Sequence, residues 1–151
     1  MLRIIKILFP IIFLSSCGLK PSIEDPKLSD RVFSLEEFFD GQSVAHGQFQ
    51  DVLGNVSLRF LVNIEGSWDG SDLVLVEDFT YEDGYEEQRI WTLTKIGENG
   101  WAGSAEGVIG TAEGKTNGDM FYLAYTIDLP TPNGKRRVSF KDYTVSYTHL
   151  T

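Results

Sequence analysis

From Val56 onward the apolar residues of this chain recur at a period of two. In Val56-Ser57-Leu58-Arg59-Phe60-Leu61-Val62-Asn63-Ile64 every second residue from Val56 is apolar. Such alternation gathers one set of side chains on a single face of an extended strand and cannot serve a helix, whose faces repeat about every 3.6 residues. Asp72–Tyr81 repeats the pattern with Leu73, Leu75, Phe79 and Tyr81, and residues 120–129 do so with Phe121, Leu123, Tyr125, Ile127 and Leu129. Residues 86–96 and 135–143 are weaker versions. Between them stand Leu53-Gly54-Asn55, Trp68-Asp69-Gly70, Glu82-Asp83-Gly84, Glu98-Asn99-Gly100, Thr116-Asn117-Gly118 and Pro132-Asn133-Gly134. These read as tight hairpin turns, because Asn and Gly tolerate the positive φ that such turns require.

Strands joined in sequence by tight turns predict an antiparallel meander. Only one helix is expected: Ser34-Leu35-Glu36-Glu37 fits a capping box, with Phe33, Phe38 and Phe39 as apolar cover, and the helix ends near Gly41. One short helix cannot cover a sheet, so the meander must curl to bury its apolar face and shelter its edges. The expected fold is therefore all-β, an antiparallel meander closing into a lipocalin-like barrel with one short N-terminal helix. The glycines at 103, 107, 110 and 114 lie in a weakly patterned stretch, residues 101–115, and lack the spacing of a phosphate loop. They read as glycines that bend strands at barrel corners.

With 151 residues the chain has room for one domain. Its net charge of −9 would repel a phosphate backbone, so nucleic acid is excluded as a partner. A single cysteine forbids an intrachain disulfide, and two histidines, His46 and His149, leave little for a metal site, so no cofactor or metal is expected.

Residues 1–16 read MLRIIKILFPIIFLSS, two cations followed by an apolar run and two small serines, the layout of a secretory signal peptide. The run at residues 7–14 falls far short of the roughly 20 residues that span a bilayer, and Pro10 interrupts it. Leu14-Ser15-Ser16-Cys17 resembles the bacterial lipobox, which assigns Cys17 as the lipidated N-terminus of the mature chain. Processing removes Arg3 and Lys6 and no acid, leaving 11 cations against 22 anions and a charge of −11. A body so charged is repelled by anionic headgroups, so membrane attachment must come from the acyl chains, at about 0.8 kcal/mol per buried CH₂. Gly18 stands where an Asp would resemble the inner-membrane retention signal, which implies the outer membrane. Residues 17–32, with Pro21 and Pro26, read as a tether.

Phe38-Phe39-Asp40-Gly41, Ala45-His46-Gly47, Gly66-Ser67-Trp68-Asp69-Gly70, Tyr81-Glu82-Asp83-Gly84, Arg89-Ile90-Trp91 and Asp128-Leu129-Pro130 together resemble an uncharacterised family of proteobacterial lipoproteins, domain of unknown function 3833. The Gly-Ser-Trp-Asp-Gly turn and the later Arg-Ile-Trp carry most of its specificity. The resemblance implies no enzymatic activity and points to envelope lipid biology. It also implies further strands beyond Phe140-Lys141-Asp142-Tyr143, so the barrel domain at 33–144 is expected to be incomplete at its C-terminus, with 145–151 a non-native tail in which His149 has no role.

Glu77, Asp78, Glu82, Asp83, Glu86 and Glu87 form the densest acidic stretch. The spacing is not that of an EF-hand, and a solvated hairpin is expected instead. His46, with Asp40 or Asp51 and Ser43, lacks any catalytic motif and reads as a strand histidine. Trp68 reads as an aromatic that closes the fold rather than a sugar platform, and Lys135-Arg136-Arg137 as charges that keep a strand edge soluble. Tyr81 and Tyr85 flank a turn and suit either packing or a carbohydrate or peptide surface.

The alternating residues Phe60, Val62, Leu73, Leu75, Phe121, Leu123 and Tyr125 are the candidate lining of an apolar ligand site, suited to a lipid or fatty-acyl chain, since barrels of about eight strands can hold one small ligand. Two alternatives stand beside this: a filled barrel that works through its loops as a protein-interaction module of the envelope, and a lipid-modifying enzyme with polar groups converging inside. Burial of each large side chain contributes about 1.5–3 kcal/mol and explains the pattern by packing alone. A ligand requires space that these side chains leave open.

Overall fold

The computed structural model describes residues 22–24, 32–50, 55–131 and 134–145. The expected signal peptide, Cys17, Asp51 and residues 146–151 lie outside them. One helix, α1 (Leu35–Phe39), precedes eight strands: β1 (Gly41–Gln50), β2 (Val56–Trp68), β3 (Asp72–Tyr81), β4 (Glu86–Ile96), β5 (Gly100–Ala105), β6 (Ala112–Asn117), β7 (Met120–Thr131) and β8 (Gly134–Val145). Each strand pairs antiparallel with the next in the order of the chain, as the turn signals predict. The sheet curls into a half-barrel. Its curvature brings Trp91 of β4 against Tyr125 of β7, ring centroids 4.9 Å apart, and Phe49 of β1 within 6.3 Å of Phe140 of β8. Among the described residues no ladder joins β8 to β1, so aromatic side chains rather than backbone hydrogen bonds span that seam.

Two strands, β5 and β6, fall in the stretch whose hydropathy shows little pattern. Gly103 occupies an inward position of β5 where a Cβ would lie 2.8 Å from Leu93 Cδ2 and 3.1 Å from Ala112 Cβ. Neighbouring side chains fill the place its own would take, so the strand is buried without being apolar in sequence. Gly107 and Gly110 belong to the connection between the two strands, not to strand corners. The turn between β4 and β5 is also displaced from its expected place: the left-handed residue is Gly97, at φ +64°, while Gly100 opens β5.

One end of the half-barrel is plugged by α1. Ser34 Oγ accepts from the Glu37 amide at 3.4 Å, which starts the helix. The Phe33 amide donates to the Gly118 carbonyl at 2.7 Å, and the Phe33 ring stacks on Phe121 at 6.4 Å. Leu35 is wholly buried in a cluster that includes Leu73, Leu93, Trp101 and Ala112. Gly66 of β2 permits the closest approach, since a Cβ there would lie 1.8 Å from the Phe39 carbonyl oxygen. Glu36 of α1 and Lys95 of β4 form an ion pair across the same junction. Ser22–Glu24 lie at this end too, where Asn117 Nδ2 donates to the Ile23 carbonyl at 2.7 Å.

Candidate functional site

The strand period sends Leu58, Phe60, Val62 and Ile64 of β2, the odd-numbered residues of β3, and Trp91 and Leu93 of β4 to the concave side. They do not fill it. A cavity of about 450 Å³ runs from the α1 plug to a mouth beside the β3–β4 turn, where Asp83 and Tyr85 border it. Its floor is apolar, made by Phe39, Ile64, Leu75, Leu93, Phe121 and Leu123. Of the sequence candidates, Phe60, Val62, Leu75, Phe121, Leu123 and Tyr125 lie on its wall. Leu73 does not border it. That side chain is fully buried in the packing beneath α1.

A belt of ionisable groups crosses the wall above this floor. Glu77 interrupts the apolar series of β3 between Leu75 and Phe79, and β-pairing sets it directly opposite Arg89 of β4. Arg89 Nη2 donates to Glu87 Oε1 at 2.6 Å, and its guanidinium lies over the Phe79 ring, 5.0 Å from the centroid. From β8, Asp142 pairs in register with Leu123 and accepts a hydrogen bond from Tyr125.

Burial disfavours charge at Glu77 and pushes its carboxyl up to about 7 despite the opposing pull of Arg89 and a hydrogen bond from Trp91. Burial also raises the Asp142 carboxyl, against Tyr125 and Arg89. The Tyr81 phenol is pushed up to about 12 by burial and the nearby Glu87 charge, and Tyr125 is raised by burial and Asp142. Burial alone would pull Arg89 down, but the hydrogen bond and charge of Glu87, together with Tyr125 and Glu77, more than offset it and keep the guanidinium protonated.

The acidic stretch is therefore not a solvated hairpin throughout. Asp78, Glu82, Asp83 and Glu86 are exposed, but Glu77 and Glu87 share the parity of Phe79 and Trp91 and turn inward. A signal was present in the gap at position 77 of an otherwise apolar series. Hydropathy discards such a position because a carboxylate ordinarily marks the solvent face of a strand.

The other candidates do not converge. Ser43 and His46 are three residues apart on β1 and so point to opposite faces, and His46 is exposed. Trp68 packs edge-on against Trp101 at 5.8 Å, as a fold-closing aromatic. Lys135, Arg136 and Arg137 are exposed on the edge strand β8, where Arg137 Nε and Nη2 donate to both Asp128 carboxylate oxygens at 2.8 and 2.9 Å. Among the described residues no group of three or more His, Cys, Asp or Glu side chains is placed to hold a metal ion.

The site thus offers an apolar chamber with a polar waist, able to hold an apolar chain and to hydrogen-bond a head group. Neither a curated protein nor a solved structure shows significant similarity to the chain. A family profile does match, over residues 11–150, which takes in α1 and every strand of the half-barrel. The chain is a member of the family described as "Protein of unknown function (DUF3833)".

Proposed function

We propose that this protein is a lipid-anchored lipoprotein of the bacterial envelope, held at the outer membrane through Cys17, and that its half-barrel binds an apolar or lipid ligand. The cavity carries the ligand reading. Packed interiors leave few voids larger than a water molecule, whereas about 450 Å³ lies open here between the side chains of one curled sheet. The filled-barrel alternative needs an interior without that space. The enzyme alternative finds converging polar groups in the belt and the Thr144 hydroxyl in the lining, but among the described lining residues there is no histidine to activate that hydroxyl.

The ligand reading is tested by filling the chamber. Leu75→Trp and Leu123→Trp each add bulk at the floor, and a larger side chain that enters existing space avoids the roughly 1–3 kcal/mol that overpacking a closed core costs. Both variants should keep wild-type stability within about 1 kcal/mol and lose most binding of N-phenyl-1-naphthylamine, a neutral apolar fluorophore. Strong destabilisation of both, with no fluorophore binding by the parent, would show a packed scaffold.

The anchor has its own test. Cys17 is the only thiol of the chain and follows Leu14-Ser15-Ser16. Cys17→Ala should abolish incorporation of labelled fatty acid and cleavage after Ser16 in a bacterial host. A variant that still takes up the label and sediments with membranes excludes the lipobox.

A further inference from the structure

Resting on the ligand reading above, we infer that the cavity selects a single-chain amphiphile with a cationic ammonium head, and discriminates against a fatty carboxylate. The cavity is the site; the distribution of charge on its wall says which head fits. Among the described lining residues, Glu77, Asp83, Glu87 and Asp142 stand beside one cation, Arg89. That cation is already engaged, with Glu87 at 2.6 Å and the Phe79 ring beneath it. An incoming carboxylate would find no free positive partner among the described lining residues and would meet further carboxyl groups in surroundings where like charges are poorly screened. An ammonium head meets the carboxyl groups outside the Arg89–Glu87 pair, Glu77 on β3 and Asp142 on β8.

The rings between the belt and the mouth favour the same charge. Phe60 lies 5.8 Å from both Phe79 and Tyr81, and Tyr81 lies 5.7 Å from Tyr85, measured between centroids. All four border the cavity. Aromatic faces attract ammonium groups through the ring quadrupole and offer a carboxylate nothing comparable. With the plug at the α1 end, the alkyl chain occupies the floor formed by Ile64, Leu75 and Leu123 while the head remains among these rings and the belt.

Three probes with the same twelve-carbon chain separate head from tail: dodecyltrimethylammonium, 1-dodecanol and dodecanoate, each below its micellar concentration and each displacing N-phenyl-1-naphthylamine from the full chain at pH 7.5. The quaternary head keeps its charge at every pH used. Dodecyltrimethylammonium should bind at least tenfold more tightly than dodecanoate and more tightly than the alcohol. The double variant Glu77→Gln, Asp142→Asn, whose amides can still hydrogen-bond a hydroxyl, should retain binding of the alcohol and lose the ammonium preference, bringing the other two probes close to it. Dodecanoate binding as well as the ammonium probe, or a preference unchanged in the double variant, overturns the head-group inference alone provided the alcohol binds. If none of the three displaces the fluorophore, the ligand reading falls and this inference with it.

Discussion

Leu73→Ala should lower the free energy of unfolding by about 4 kcal/mol, and Leu75→Ala, two residues along the same strand, by only about 2 kcal/mol. Both leucines point inward from β3 and both are nearly inaccessible to water. Leu73 lies in the fully packed cluster under α1 with atoms on every side. Its truncation forfeits the transfer energy and opens a new void whose walls lose their dispersion partners. Leu75 borders the cavity, so part of its surface has no partner to lose. Its truncation enlarges a space that is already there. Urea denaturation of the two variants against wild type gives the comparison directly, and equal losses would mean that no open chamber adjoins Leu75.

The second large effect is a pH-dependent gain from Glu77→Gln. Folding raises this carboxyl from an ordinary 4.5 to about 7, so the folded state holds the proton more tightly than the unfolded chain does. The penalty for ionising Glu77 is absent below about pH 4.5, where both states are protonated. It grows between pH 4.5 and 7, and is complete above pH 7. A displacement of that size corresponds to about 3 kcal/mol, the gain expected for Glu77→Gln at pH 8, whereas at pH 4 the two proteins should be equally stable. Part of the Glu77 displacement comes from the Asp142 charge, and Glu77→Gln removes that repulsion together with the carboxyl; Glu36, Asp69 and Asp128 are shifted in the opposite direction by other neighbours and cancel in the difference. Unfolding free energies measured at pH 4, 6 and 8 should therefore diverge. Parallel profiles would place Glu77 in water rather than in the belt.

The strands were legible where hydropathy alternates, as in β2, β3 and β7, and the turns where Gly70, Gly84 and Gly118 take positive φ. The position of β5 was hidden because Gly103 borrows its neighbours' side chains for its packing. The site was half legible for a related reason. Six of the seven candidate residues border the cavity because apolar alternation finds the concave face. Leu73 does not, since alternation assigns a face but cannot tell the packed end of that face from the hollow one. The belt was missed because each member, taken alone, resembles an outward-facing charge. The partnership of Glu77 and Arg89 comes from register, and that of Trp91 and Tyr125 from the curl of the sheet, which joins residues 34 positions apart.

The plug at the α1 end makes the chamber blind, and a blind chamber can measure length. On the proposed ligand reading, an alkyl chain entering past Tyr85 with its head at the belt would extend toward Phe39, and each further methylene buried would add about 0.8 kcal/mol, close to a fourfold gain in affinity. The gain ends when the terminal methyl reaches the floor beneath α1, because one carbon more must push the head out of the belt or the helix off the sheet. Affinity across a homologous series should climb and then break at a single chain length, as on a ruler whose zero is the belt and whose stop is the helix.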